Sequence, residues 1–287
     1  MSLRIYILLI LSMFAVSTSP LIARYLNHLS PITIGLWRMF IAACIMSIYG
    51  YYQHGLKPIS SLNRFKIIIA GILLGIHFAL FYGAISLMPN NIANATVFGT
   101  MAPLFALFIE IYFGKAISQK LILGLLIVLG GSFMMFVYDF SLNNNLTIGN
   151  ILAISCSICF AFVFILSDQV SKTESSFNFS KNVFIYAALT LLLIAIIGNV
   201  PFLYISNYDF ILLFILGVIP TIVGHSVLYY LTNYLRPTVV ASIPLGEPFI
   251  ASIFAWFLFP GQILNTYIII GGITTLFGLF IIIQSKK

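Results

Sequence analysis

The sequence predicts an all-α integral membrane protein: ten transmembrane helices forming two five-helix repeats of opposite orientation. Three observations predict it: the composition, the spacing of the apolar runs, and the loops in which the positive charges fall. The 287 residues are 61% hydrophobic and only 7% charged, with a mean hydropathy of +1.13. A soluble domain carries ~25% charged residues, so this chain cannot clothe a water-facing surface. That excludes a soluble globular protein, a nucleic-acid binder and a disordered chain together. With thirteen Lys and Arg and a net charge of +7, the position of the bases matters more than their sum.

A helix that crosses the hydrocarbon core needs ~20 mostly apolar residues. Runs of that kind fall at 4–23, 32–52, 66–87, 91–112, 119–138, 148–168, 181–200, 209–233, 238–259 and 264–284. The first begins like a signal peptide, with Arg4 before an apolar stretch and small Ala15 and Ser17. Its apolar run continues to Leu26 across Pro20 with no polar cleavage region, so it reads as a retained helix. The second carries Arg38; the third follows Arg64 and Lys66; the fourth follows the Pro89 turn and contains Pro103. Lys115 and Lys120 introduce the fifth, and the sixth holds Cys156 and Cys159. Lys172 and Lys181 precede the seventh, Arg236 separates the eighth from the ninth, and Lys286 and Lys287 close the tenth. The connections are short, which leaves no room for a soluble domain.

With the N-terminus in the cytoplasm, Arg4, Lys57, Arg64, Lys66, Lys115, Lys120, Lys172, Lys181, Arg236, Lys286 and Lys287 all fall on the inside. Arg24 alone occupies an outside loop, which is the positive-inside bias. Cytoplasmic termini follow, in the cytoplasmic membrane of a bacterium. A shift of 147 places Gly114 on Gly261, Gly124 on Gly271 and Gly131 on Gly278; a shift of 148 places Pro89 on Pro237, and 145 places Pro103 on Pro248. The repeats are 1–140 and 146–287, and because five is odd the halves are inverted. Inverted repeats in a helical membrane protein point to a carrier working by alternating access, with a site near the midplane.

The residues also resemble a known family. Thr238 to Trp256 (TVVASIPLGEPFIASIFAW), the preceding Gly224-His225 and the run Tyr229 to Pro237 are similar to the drug/metabolite transporter superfamily in its EamA-type branch. Ala79 to Leu107 is a fainter copy, and Arg38-Met39-Phe40 with Ala42-Ala43 resembles the opening of that family's second helix. The resemblance covers the whole chain. It implies two five-helix halves and a central cavity lined mainly by the third, fourth, eighth and ninth helices. Lys115 and Gln262 stand where family members often have Glu, and the frequent Trp of the first helix is replaced near Phe14-Ala15.

Glu247 is the one carboxylate deep in a span, nine residues or ~13 Å into the ninth helix. A carboxylate there is costly unless it faces a cavity, pairs, or takes up a proton, so it is a candidate for solute or proton binding. Pro244 and Pro248 flank it, and each removes an N–H from the ladder. The carbonyls near 240 and 244 are thereby expected to face a solute; the bland alternative is a simple bend. Pro103 offers a similar break.

Arg38 lies ~9 Å inside the second helix. It either binds an acidic group of the solute in two-point fashion or snorkels to the interface. His77 and His225 occupy nearly equivalent places in the two halves, and His225, Tyr229, Thr232 and Asn233 recur at i, i+4, i+7 and i+8 on one face. Tyr82 and Asn94 complete the candidate lining. For each of these the alternative is an interhelical hydrogen bond serving as glue.

No disulfide framework, metal-ligand pair, phosphate loop or nucleophile motif is present in the sequence, so no cofactor or metal is expected and no enzyme. The expected function is a secondary carrier of small, amino-acid-like or zwitterionic solutes, with protons as a candidate coupling ion. An importer of S-adenosylmethionine or another host metabolite is the alternative within the class, and a channel or membrane sensor the alternative outside it. The expected partners are the solute and the lipid bilayer, with a monomer or homodimer as the assembly.

Overall fold

The computed structural model describes residues 2–54, 59–88, 92–137, 144–259, 261 and 263–285, and these form fourteen α-helices, a π-helical and a 3-10 segment, with no strand among them. In chain order the helices are α1 Leu3–Ser17, α2 Ser19–Tyr25, α3 Pro31–His54, α4 Ser61–Leu87, α5 Ile92–Gly99, α6 Ala102–Tyr112 and α7 Gln119–Val137. They continue as α8 Asn144–Val170, α9 Ser176–Ile197, α10 Asn207–Leu216, α11 Ser226–Leu231, α12 Pro237–Ser242, α13 Glu247–Leu258 and α14 Thr266–Ile283. Nine stretches among the described residues are long and apolar enough to cross a membrane, and Gln119–Met135 is a shorter apolar helix.

Four of these passes are broken, each beside a proline. Pro20 separates α1 from α2; Pro103 starts α6 after the turn at Thr100–Met101. Pro220 lies in a π-helical stretch, Gly217–His225, between α10 and α11, and Pro244 opens the 3-10 turn Ile243–Gly246 between α12 and α13. A proline has no N–H to give the carbonyl four residues back, and in lipid every such carbonyl must find a donor inside the protein. Three of the breaks are answered locally. Thr221 Oγ1 donates to Leu216 O, the carbonyl Pro220 orphans, at 2.7 Å. Ser157 Oγ of α8 donates to Phe98 O at 2.6 Å, and Cys156 Sγ lies 3.8 Å from Gly99 O, the carbonyl orphaned by Pro103.

The carbonyls of Val240 and Pro244, expected from the sequence to face a solute, are instead taken by the N–H groups of Ile243 and Glu247 in 3-10 geometry. Tightening to i+3 bonds satisfies them where the i+4 donor is a proline. The seventh pass also starts earlier than its apolar run. Ser175 caps α9 through Asn178 N, and the polar Asn178 and Lys181 are buried between helices, so polarity there marks packing and not a loop.

Polar contacts define two ends. At one, Asn63 Nδ2 meets Thr173 Oγ1, Arg236 Nη1 donates to Ala116 O, and Asn233 Nδ2 donates to Ser176 Oγ, so the loops bearing the lysines and arginines gather there; we call it the basic end. At the opposite end Trp37 Nε1 donates to Phe202 O and His28 pairs with Asp209 at 3.2 Å.

α7 and α14 pack backbone to backbone through Gly124, Gly131, Gly271 and Gly278. A Cβ on Gly131 would sit 2.5 Å from Gly271 O and one on Gly124 3.1 Å from Gly278 O. Small residues permit this close approach where no hydrophobic effect drives helices together. Gly131→Ala is therefore expected to destabilise the fold by about 1–3 kcal/mol through overpacking. Gly130→Ala, whose Cβ would meet nothing within 4 Å, is expected to be neutral or stabilising by up to ~1 kcal/mol from helix propensity. Thermal unfolding in detergent of the two neighbouring variants checks this; equal effects would contradict the packing argument.

Candidate functional site

Arg38 is fully buried on α3 and does not snorkel. Its Nε donates to Thr221 Oγ1 at 2.7 Å, and its Nη1 to Ser19 Oγ at 2.8 Å and Tyr82 OH at 2.7 Å. Its Cζ lies 4.2 Å from the centroid of Phe78, a cation–π contact. The proline breaks supply two of these partners. Pro20 ends α1 so that Ser19 turns toward α3, and Pro220 frees the carbonyl that holds Thr221 with its oxygen toward Arg38. All three hydrogen-bond partners are neutral hydroxyls, and no ion pair among the described residues includes Arg38.

Arg38 lines a cavity together with Ser19, His77, His225, Pro244 and Glu247. Its volume is about 20 Å³, room for about one water molecule. His77 Nδ1 is 2.9 Å from Cys156 O, and its ring stacks on Phe160 with centroids 4.5 Å apart. Phe160 also meets the His225 ring at 5.2 Å, and Phe78 meets it at 5.4 Å. The wall is thus rings and histidines, with one guanidinium and one carboxyl.

Three buried polar atoms of the lining have no protein partner: Arg38 Nη2, His225 Nδ1 and Glu247 Oε1. A buried unpaired group costs about 1–3 kcal/mol, more when charged. Three of them fall around one small cavity. Buried atoms of this kind are rare enough in native proteins that each asks for an explanation.

The remaining candidates divide. Tyr82 serves Arg38. Tyr229 is buried one turn beyond His225 among Phe164, Phe179 and Phe184, its hydroxyl unpartnered, behind the cavity wall. Asn233 lies past the end of α11 at the exposed basic end, bonded to Ser176. The face from His225 to Asn233 assumed a helix through Asn233, whereas α11 stops at Leu231. The side chain of Asn94 lies outside the described residues. Pro103 and Pro248 each sit in the first turn of a helix, α6 and α13. Ser19, Thr221 and Phe160 were not singled out in the sequence; Pro20 and Pro220 were the signal for the first two.

At the basic end a second polar cluster ties the fourth, sixth and ninth passes together. α6 ends in a Schellman turn, Gly114 N–H to Ile111 O and Lys115 N–H to Glu110 O, made possible by Gly114 at φ +72°. The turn folds Lys115 back over Glu110, at 3.1 Å, and within 3.3 Å of Asp168 on α8. Thr238 Oγ1 of α12 donates to the other oxygen of Glu110. Burial pushes the Lys115 ammonium toward losing its proton, but Glu110 and Asp168 outweigh it and raise its pKa, so it stays charged.

A model of the EamA-like transporter family matches residues 3–137 and again 147–284. An uncharacterized transporter of Archaeoglobus fulgidus is 27% identical over 199 residues, 68% of each chain. A solved crystal structure superposes with a TM-score of 0.77 over 97% of this chain and 96% of its own, at 15% identity, a likeness of fold alone.

Thr221→Val removes the hydroxyl that serves both Leu216 O and Arg38 Nε at nearly constant volume. It is expected to cost about 1–3 kcal/mol, read as a lowered unfolding temperature in detergent, with Thr221→Ser restoring most of it. A Val variant as stable as the parent would remove Thr221 from the site.

Proposed function

The chain belongs to the EamA-like transporter family, and on that premise we propose that it is a secondary carrier of small zwitterionic, amino-acid-like metabolites. The observation that carries the reading is the pair Arg38 and Glu247. They line one cavity from α3 and α13, each keeps a buried polar atom without a partner, and no ion pair joins them. A solute with a carboxylate and an ammonium would complete both, and the rings of Phe78, Phe81 and Phe160 would pack on its apolar part. Multi-pass membrane placement and the transporter family point to transport and not to catalysis.

Alternating access is the mechanism we propose. A cavity with room for about one water must widen to admit a metabolite, and the four proline-broken passes are where helices bend at least cost. The cluster of Lys115, Glu110, Asp168 and Thr238 would hold the basic end closed in one state and release it in the other. The reading has the basic end, and both termini with it, in the cytoplasm of a bacterium; the gathering of the basic loops supports this. Two inverted five-helix repeats are supported by the twofold family match and by the Gly124, Gly131, Gly271 and Gly278 contact between the last helix of each half.

Glu247 is the candidate proton carrier, because a lone carboxyl among rings can alternate between a protonated state and pairing with a solute ammonium. Counterflow in liposomes tests the reading. Arg38→Lys is expected to weaken transport of acid-bearing solutes about tenfold or more, as the loss of a charged hydrogen-bond partner implies, and of their amides much less. Glu247→Gln is expected to abolish the dependence of uptake on a pH gradient while the protein remains folded. Equal losses for acids and amides would make Arg38 structural, and an unchanged gradient dependence would exclude Glu247 as the coupling site.

A further inference from the structure

Between α3 and α9 runs a cleft of about 420 Å³, lined almost wholly by apolar atoms. On α3 it extends from Leu36 through Cys44 to Ser47 and Ile48, and on α9 from Leu192 back to Ile185. The small side chains of Ala43 and Ala188 leave the floor low. From Leu36 to Ile48 the helix advances ~18 Å at 1.5 Å per residue, against ~15 Å for one leaflet of a ~30 Å hydrocarbon core. The cleft therefore has the length of one acyl chain.

A charge lies one turn beyond the lining at its basic end. Lys181 is one helical turn below Ile185 on the same stripe of α9, it is 7% exposed, and no ion pair among the described residues includes it. Its stem lies against Gly50 of α3; a Cβ there would be 3.9 Å from Lys181 Cδ and 3.0 Å from the Phe177 ring. Tyr49 and Phe177, rings 5.7 Å apart, flank it, and the exposed Tyr51 and Tyr52 follow. Such a belt of aromatic rings marks the headgroup level. A lysine held there without a carboxylate, at the end of an apolar cleft one leaflet long, has the chemistry of an anionic lipid site.

We propose that the α3/α9 cleft binds a phospholipid of the leaflet at the basic end, with its phosphate on Lys181 and one acyl chain lying between Ser47 and Leu36. The lipid would splint α9 to α3, the helix that carries Arg38. The inference rests on the chain's place in a membrane and not on any solute.

The test is native mass spectrometry of the full chain in detergent, titrated with phosphatidylglycerol or with phosphatidylcholine of identical acyl chains. One tight lipid is expected, with phosphatidylglycerol preferred roughly fivefold, the value of one basic residue at the surface. Lys181→Gln should reduce that preference to about one, and Lys181→Arg should keep it, which separates a headgroup contact from a folding effect. Ser47→Phe, which fills the cleft from a half-buried position, should lower retention of both lipids. Should this variant fold poorly, Cys44→Phe makes the same test. Undiminished preference in Lys181→Gln, or undiminished retention in the filled cleft, overturns the proposal. So does a cleft-filling variant that converts a dimer into a monomer at unchanged lipid content, because the occupant would then be a second copy of the chain.

Discussion

A guanidinium buried among apolar helices is the constraint from which the rest of the centre follows. Placing an arginine at the centre of a membrane helix costs about 2.5–3.5 kcal/mol even on insertion scales, so a buried guanidinium must find partners within the protein. The Nε and Nη1 donors of Arg38 have the hydroxyls of Ser19, Tyr82 and Thr221, its face has Phe78, and Nη2 alone is left open. Those groups come from α2, α4 and the π-helical stretch, so one side chain fixes the relative positions of the first, second, third and eighth passes. Neutral partners satisfy the hydrogen bonds and leave the positive charge uncancelled. A carboxylate in their place would have spent that charge within the protein.

The cost of leaving backbone polar groups unmet in lipid also explains how four passes break without falling apart. Each proline removes one donor, and at three of the breaks a substitute is visible. Thr221 covers Leu216, Ser157 covers Phe98 beside the Pro103 break, and the ninth pass tightens into a 3-10 turn. These replacements are side-chain bonds or short turns, and they can be exchanged one for another more cheaply than a continuous α-helical ladder can be broken. The unbroken α3, α4, α8 and α9 form the frame around them. Cys156, a small residue in a mid-membrane C-x-x-C, packs beside the Pro103 break: its carbonyl meets His77, and its thiol bonds Ala153 O on its own helix, with Gly99 O farther off.

The passes and their order were legible because a bilayer imposes a length and an apolar composition that few other environments demand. Arg38, Glu247, His77 and His225 were legible for the converse reason, since a charge or imidazole in such a run is too costly to be incidental. What escaped was the geometry set by the breaks. Ser19 and Thr221 look like ordinary membrane serines and threonines until Pro20 and Pro220 turn them toward Arg38. Asn233 was grouped with the site by a 3.6-residue period carried past Leu231, where α11 ends. The early start of α9 escaped because Asn178 and Lys181 read as loop residues, although both are packed between helices.

The two ends of the bundle are closed by different means, and the difference bears on how one could open. The opposite end is held by rings and backbone acceptors, with Tyr25 stacked on Phe259 at 4.9 Å, Arg24 over the same ring at 4.3 Å, and Trp37 bonded to Phe202 O. It also carries the His28–Asp209 pair, whereas the basic end adds a cluster of three charges to its neutral bonds. Lys115 stands between Glu110 and Asp168, so two carboxylates share one ammonium where an acid at that position would have set three carboxylates together. Lys115 is 39% exposed while Glu110 is fully buried, so water reaches the ammonium side of this cluster and not the Glu110 carboxylate. In the proposed alternating-access mechanism, water would take over each of these bonds as the helices part, including the one from Thr238 to Glu110. The two forms would then need to differ by no more than the few kcal/mol that a bound solute can tip.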